Sequence, residues 1–219
     1  MKRILTLLFV FFCITTVAQN LKPAFWHDIQ NFRQQDSVQV PPTHPILFVG
    51  SSSFTKWTDI QNYFPGYAVL NRGFGGSTLT DLLRYEEDVI FKYDPKQIVI
   101  YCGENDLAAS DTVTAAMVAD RFKKLFSEIR TVYPKVPIVF ISLKPSPSRW
   151  YMKDRAMTAN DMIGKYLKKE KNAQFVSVWK AMLGPDGKPM PDIFIEDNLH
   201  MNAKGYEIWQ KILEPYLMK

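Results

Sequence analysis

From residue 46 onward the chain alternates two hydrophobic patterns. Short runs that are apolar almost throughout, at 46–49, 68–71, 97–101, 136–142 and 174–178, alternate with stretches whose apolar positions recur at helical spacing, at about 58–64, 78–92, 113–132, 155–171 and 203–217. A strand that is apolar on every residue, with no polar alternation, is buried on both faces, which is the signature of a parallel sheet covered by helices on either side. Five such units predict an α/β fold: a three-layer α/β/α sandwich around a five-stranded parallel sheet, with no internal repeat and no second domain.

Upstream of the first strand, Phe25, Ile29 and Phe32 fall at helical spacing, with Pro23 placed for a first turn, so residues 23–36 are expected to form a helix packed on the body. Val40-Pro41-Pro42-Thr43-His44-Pro45 follows as an extended linker, because its prolines forbid a helix. Earlier still, Lys2 and Arg3 precede an apolar run that ends in Thr16-Val17-Ala18, a small-x-small pattern. This reads as a secretory signal peptide over residues 1–18, cleaved near Ala18, and predicts a secreted or periplasmic protein with no stable membrane span after cleavage. Cys13 does not mark a lipoprotein, since Phe12 precedes it. The expected organisation is therefore signal peptide at 1–18, helix and linker at 19–45, and the main domain at 46–219.

Composition agrees with a folded body: 219 residues, 47% hydrophobic and 22% charged, enough to bury one full core. Loss of Lys2 and Arg3 would lower the formal charge by two from +5. The remaining excess is not clustered, which gives no support to a nucleic-acid partner. Loss of Cys13 would leave Cys102 as the one cysteine, so no internal disulfide could form and stability must come from packing. Cys102, beside Gly103 at the end of the third strand, reads as a small buried filler. The scattered histidines have no metal-ligand spacing, and neither a metal nor another cofactor is implied.

Ligand sites of open parallel sheets lie beyond the carboxyl ends of the strands. There this chain places Gly50-Ser51-Ser52-Ser53, then Asn71-Arg72-Gly73-Phe74-Gly75-Gly76-Ser77-Thr78, Gly103-Glu104-Asn105-Asp106, Lys144 to Trp150, and Glu196-Asp197-Asn198-Leu199-His200. Acyl transfer at a serine needs a base, an acid to orient the base, and donors for the oxyanion. His200 is the one histidine after residue 44, and Asp197 stands three residues before it, close enough to reach its ring. The glycine turn is a poor dinucleotide fingerprint, because Thr78 occupies the place of the third glycine and the turn follows the second strand.

These blocks together resemble the SGNH hydrolases, the GDSL-type esterases and lipases, over nearly the whole chain after residue 18. The resemblance implies the flavodoxin-like fold of that family. Gly50-Ser51-Ser52 matches Gly-Asp-Ser and makes Ser52 the nucleophile. Gly76 ends the glycine turn of the second block and would donate its backbone N–H to the oxyanion, together with that of Ser52. Gly103-Glu104-Asn105-Asp106 matches G-x-N-D and makes Asn105 a side-chain donor, while Asp197-Asn198-Leu199-His200 matches D-x-x-H and completes a triad. Ser51 departs from the family's aspartate and leaves three adjacent serines.

The implied activity is hydrolysis of O-acyl esters. No long apolar insertion builds an acyl tunnel, and Lys144, Arg149 and Trp150, with Arg72 and Trp57 as weaker candidates for the same rim, offer cations and an indole that suit a polar partner, a small-molecule or carbohydrate ester carrying a short acyl group. A lipid-directed acylhydrolase with the same machinery, and a non-catalytic carbohydrate-binding protein on the same fold, are the other two readings.

Overall fold

The computed structural model describes residues 22–219; the segment read as a signal peptide lies outside them. Strands β1 (Ile46–Gly50), β2 (Val69–Gly73), β3 (Gln97–Tyr101), β4 (Ile138–Ile141) and β5 (Ala173–Val176) form one all-parallel sheet in the order β2-β1-β3-β4-β5. Around it run α1 (Trp26–Val38), α2 (Ser52–Thr55), α3 (Ile60–Tyr63), α4 (Leu79–Arg84), α5 (Glu104–Ala109), α6 (Ala115–Val132), α7 (Lys153–Leu167) and α8 (Ala203–Leu213). From β1 the chain steps to β2 on one side and then returns to place β3 on the other. Strand order thus reverses between β1 and β3, and the crevice beyond their carboxyl ends is where such sheets hold ligands.

Alternate residues of the central strands β1, β3 and β4 feed two separate cores, which is why these runs are apolar almost throughout, whereas the edge strands β2 and β5 carry Asn71, Arg72 and Gln174. Leu47, Val49, Ile98, Ile100, Ile138 and Phe140 pack beneath α4, α6 and α7. Ile46, Phe48, Val99, Tyr101, Val139 and Ile141 pack beneath α2, α3 and α8. The second core is strongly aromatic. Trp57 is fully buried and stacks on Tyr206 at 4.7 Å, with Trp209 and Phe64 at its edges. Trp57 is therefore a core residue and not part of the rim.

The amino-terminal helix is fastened by charge. Asp36, nearly buried on α1, receives hydrogen bonds from Arg72 of β2, from Lys92 at 2.6 Å and from the Tyr93 hydroxyl at 2.8 Å. Burial would raise the Asp36 carboxyl, but the bonds from Lys92, Tyr93 and Arg72 outweigh it and the group is lowered. Arg33 adds a two-bond pair with Asp88.

Several boundaries differ from those expected. The single helix read at 78–92 is α4, with a capping box between Thr78 and Asp81, followed by a π-helical turn at Glu87–Phe91 that directs both Val89 and Ile90 into the core. The last helix ends at Leu213 and continues as a 3-10 turn through Pro215. The short helix α5 was not expected at all. Gly50 closes β1 with φ 153°, and a Cβ there would stand 2.0 Å from the Tyr101 carbonyl oxygen, so only glycine lets β1 and β3 approach this closely just before the three serines. Among the described residues no helix is long and apolar enough to cross a membrane.

Candidate active site

Ser52 opens α2 directly after β1 and is half-buried, whereas Ser51 and Ser53 on either side of it are buried. The turn is held by backbone bonds: the Ser51 N–H donates to the Tyr101 carbonyl at 3.1 Å, and the Ser53 carbonyl accepts from the Tyr206 hydroxyl at 2.9 Å. Asn71, on β2, donates to the Phe54 carbonyl at 2.8 Å and accepts from the Gly73 N–H at 3.0 Å, which pins α2 against the glycine turn. Of the three serines, Ser52 is the one that the fold leaves open.

Asp197 and His200 meet as their spacing suggests. The imidazole Nδ1 lies 2.6 Å from Asp197 Oδ2, while Asp197 Oδ1 accepts the backbone N–H groups of Leu199 at 2.9 Å and His200 at 2.8 Å. Partial burial would raise the Asp197 carboxyl, but the His200 ring and these two N–H groups lower it to about 2. Position 198 adopts φ 54°, a left-handed turn that asparagine tolerates, and Asn202 then caps α8 by accepting from the Gly205 N–H at 3.3 Å. The imidazole is 15% exposed, and its Nε2 is buried without a hydrogen-bond partner among the described residues. A buried ring nitrogen with its opposite nitrogen on a carboxylate is primed to take a proton from an incoming hydroxyl.

Of the residues expected as oxyanion donors, Gly76 is exposed with φ 87°, a conformation that suits glycine, and the Phe25 ring lies 3.7 Å from where its Cβ would be. Asn105, half-buried at the start of α5, donates Nδ2 to the Ser77 carbonyl at 2.9 Å and accepts at Oδ1 from Arg149 Nη2 at 2.8 Å. Further bonds close a circuit through all these loops. Ser77 Oγ donates to the Gly50 carbonyl at 3.2 Å, and the Ser148 N–H and hydroxyl donate to the Asn198 carbonyl at 3.1 and 3.0 Å. The circuit runs from β1 through Ser77, Asn105, Arg149 and Asn198 to α8, and returns to Ser53 through Tyr206.

The cations expected at the rim divide. Lys144 has a side chain only 2% exposed, and its Nζ is bound to Glu104 Oε2 at 2.8 Å. Arg72 is buried against Asp36 and Tyr93. Both are consumed by internal partners, so neither is retained as a substrate contact. Arg149 stays partly exposed at 19%, and Trp150 is half-buried, stacked on Trp179 at 6.1 Å with Lys153 over its ring. Glu104, which sequence reasoning passed over, is the hub beneath the site: it takes Lys144, Arg149 at 3.3 Å and the Tyr101 hydroxyl. Burial would raise its carboxyl, yet Lys144 and Arg149 prevail and lower it. An acidic residue between the glycine and asparagine of the third block, with a lysine shortly after the next strand, was the available signal. Cys102 is buried, as expected of a filler, with Sγ 3.6 Å from the Ser77 carbonyl.

Residues 44–208 match the model of the GDSL-like lipase/acylhydrolase family. No curated protein matches the chain in sequence. Among solved structures, a Streptococcus pneumonia protein provisionally described as a platelet activating factor superposes with TM-score 0.77 at 21% identity, covering 88% of this chain and 92% of its own. A GDSL-like lipase from Bacteroides thetaiotaomicron gives 0.70 at 20% identity, covering 86% and 96%. An acetylxylan esterase from Geobacillus stearothermophilus gives 0.64 at 16%, covering 83% and 97%. The sheet order and the breadth of the family match agree, and the chain belongs to the GDSL-like lipase/acylhydrolase family of SGNH-type carboxylic ester hydrolases.

Proposed function

We propose that the protein is a secreted serine esterase that removes short acyl groups, acetyl above all, from carbohydrate esters. Ser52 is the nucleophile, His200 the base and Asp197 the residue that orients it. The observation that carries this reading is the His200 ring, fixed through Nδ1 on Asp197 with Nε2 buried and unpartnered among the described residues. In the mechanism, Nε2 takes the Ser52 proton as Oγ attacks the ester carbonyl. The oxyanion is met by the N–H groups of Ser52 and Gly76 and by the Asn105 amide. Among the described residues neither backbone N–H has a hydrogen-bond partner. The imidazolium returns the proton to the leaving alcohol, and water then hydrolyses the acyl-enzyme by the reverse assignment.

A polar, short-chain substrate is supported by the half-buried Trp150 and the partly exposed Arg149, on the loop whose Ser148 is bonded to the Asn198 carbonyl. The acetylxylan esterase likeness supports it further; that protein is described with catalytic mutants at a serine and at an aspartate. Activity on a series of p-nitrophenyl esters from acetyl to octanoyl, with acetylated xylo-oligosaccharides in parallel, tests the assignment. The expected result is a maximum at acetyl and release of acetate from the oligosaccharides, both abolished in Ser52→Ala. A maximum at octanoyl would assign the protein to lipid-directed hydrolysis.

A further inference from the structure

We propose that Arg149 is a positioning residue for ester hydrolysis: its guanidinium, braced on Glu104, sets the Asn105 amide with its N–H groups toward the oxyanion and places a positive charge behind it. The proposal rests on Asn105 being an oxyanion donor.

An asparagine amide has two orientations of nearly equal shape, and only its hydrogen-bond partners choose between them. Here both ends are specified. Oδ1 accepts from Arg149 Nη2 at 2.8 Å, and Nδ2 donates to the Ser77 carbonyl at 2.9 Å. The reversed amide would set its oxygen against the Ser77 carbonyl and its NH₂ against the guanidinium, replacing two attractions by two repulsions. The Ser77 carbonyl takes one of the two Nδ2 hydrogens and leaves the other for the substrate oxygen. An ionised donor on Oδ1 also draws electron density away from the amide nitrogen, which makes that remaining N–H a stronger donor.

Arg149 can do this because it does not hang free in the rim. Glu104 and Asn105 are consecutive at the start of α5, and one guanidinium reads both, with Nη1 3.3 Å from Glu104 Oε1 and Nη2 on Asn105. Glu104 is itself immobilised: it is buried, bound by Lys144 at 2.8 Å and by the Tyr101 hydroxyl. Two cations thus face one carboxylate. A flat, rigid fork suits the task, whereas an ammonium cannot span both acceptors in a fixed plane. The Ser148 bonds to the Asn198 carbonyl anchor the same loop to the segment that carries His200.

The test is a kinetic cycle on p-nitrophenyl acetate with the wild type, Arg149→Met, Arg149→Lys, Asn105→Ala and the Asn105→Ala/Arg149→Met double variant. It is joined by the side-chain amide signals of Asn105 in a ¹H–¹⁵N spectrum, assigned by their loss in Asn105→Ala. Arg149→Met should lower kcat about tenfold or more with KM changed less than about threefold, and Arg149→Lys should recover part of the loss. In the Asn105→Ala background the same substitution should cost less than about twofold. The Asn105 amide signals should move and exchange faster with solvent in Arg149→Met. An equal kcat loss in both backgrounds, a loss confined to KM, or unmoved amide signals would overturn the proposal while leaving Asn105 as a donor. Full turnover in Asn105→Ala would remove the donor reading itself, and the proposal with it.

Discussion

Replacing Asn105 by alanine separates what the amide does for the fold from what it does for the reaction. In the folded protein the substitution leaves two groups without this partner, the carbonyl of the buried Ser77 and Nη2 of the partly exposed Arg149. At about 1 kcal/mol for each lost bond, stability should fall by roughly 1–3 kcal/mol, which leaves an ordinary domain folded. Removal of one oxyanion donor costs about 10²- to 10³-fold in kcat, or about 3–4 kcal/mol of transition-state stabilisation. Turnover should therefore collapse in a protein that still unfolds cooperatively. Asn105→Asp sharpens the comparison: it keeps an acceptor for Arg149 and gains an ion pair, but it points negative charge at the oxyanion and should be no more active than the alanine variant. Burst and steady-state kinetics on p-nitrophenyl acetate, with urea melts on the same samples, measure both quantities. A kcat within about threefold of wild type in Asn105→Ala would refute the reasoning.

Three further outcomes follow from the same contacts. Asp197→Asn retains an acceptor for the Leu199 and His200 N–H groups but no longer fixes the imidazole tautomer, so kcat should drop about 10³- to 10⁴-fold with little change in folding; a loss under tenfold would show that His200 is oriented otherwise. With its carboxyl lowered to about 2, Asp197 should stay ionised down to about pH 4, so kcat/KM measured from about pH 7 to about pH 4 should show no step from its protonation; an acid-side loss with a slope of two protons would contradict it. Asp36→Ala strips the carboxylate from Arg72, Lys92 and Tyr93 and should cost about 3 kcal/mol in urea melts at pH 7. Because the folded carboxyl is lowered, its stabilisation is complete above the ordinary value of 3.8 and is lost as pH falls below it, so the gap between wild type and variant should close in acid.

The sheet was legible because its central strands are apolar almost throughout, and helix-spaced segments separate the strands. The first three candidate blocks stood out for the same reason, each following the end of an apolar run, whereas Asp197-Asn198-Leu199-His200 lies well past the end of β5 at Val176 and stood out by the close spacing of its carboxylate and imidazole. What stayed hidden depended on partners distant in sequence. Glu104-Asn105-Asp106-Leu107 reads as a polar loop, yet it forms the first turn of α5 with both carboxylates buried, since Lys144 reaches one and Arg121 the other. Lys144 and Arg72 look like free rim cations until the fold brings Glu104 and Asp36 to them. Trp57, a few residues past the end of the first apolar run, could not be told from a rim indole until α8 closed over it with Tyr206 and Trp209.

The central claim, that the hydroxyl of Ser52 is the nucleophile served by His200, is tested most directly by reaction with a fluorophosphonate followed by peptide mass mapping. One adduct is expected, on Ser52, absent from Ser52→Ala and formed far more slowly in His200→Ala. An adduct on Ser51 or Ser53, or labelling of Ser52 at the same rate without the imidazole, would contradict it.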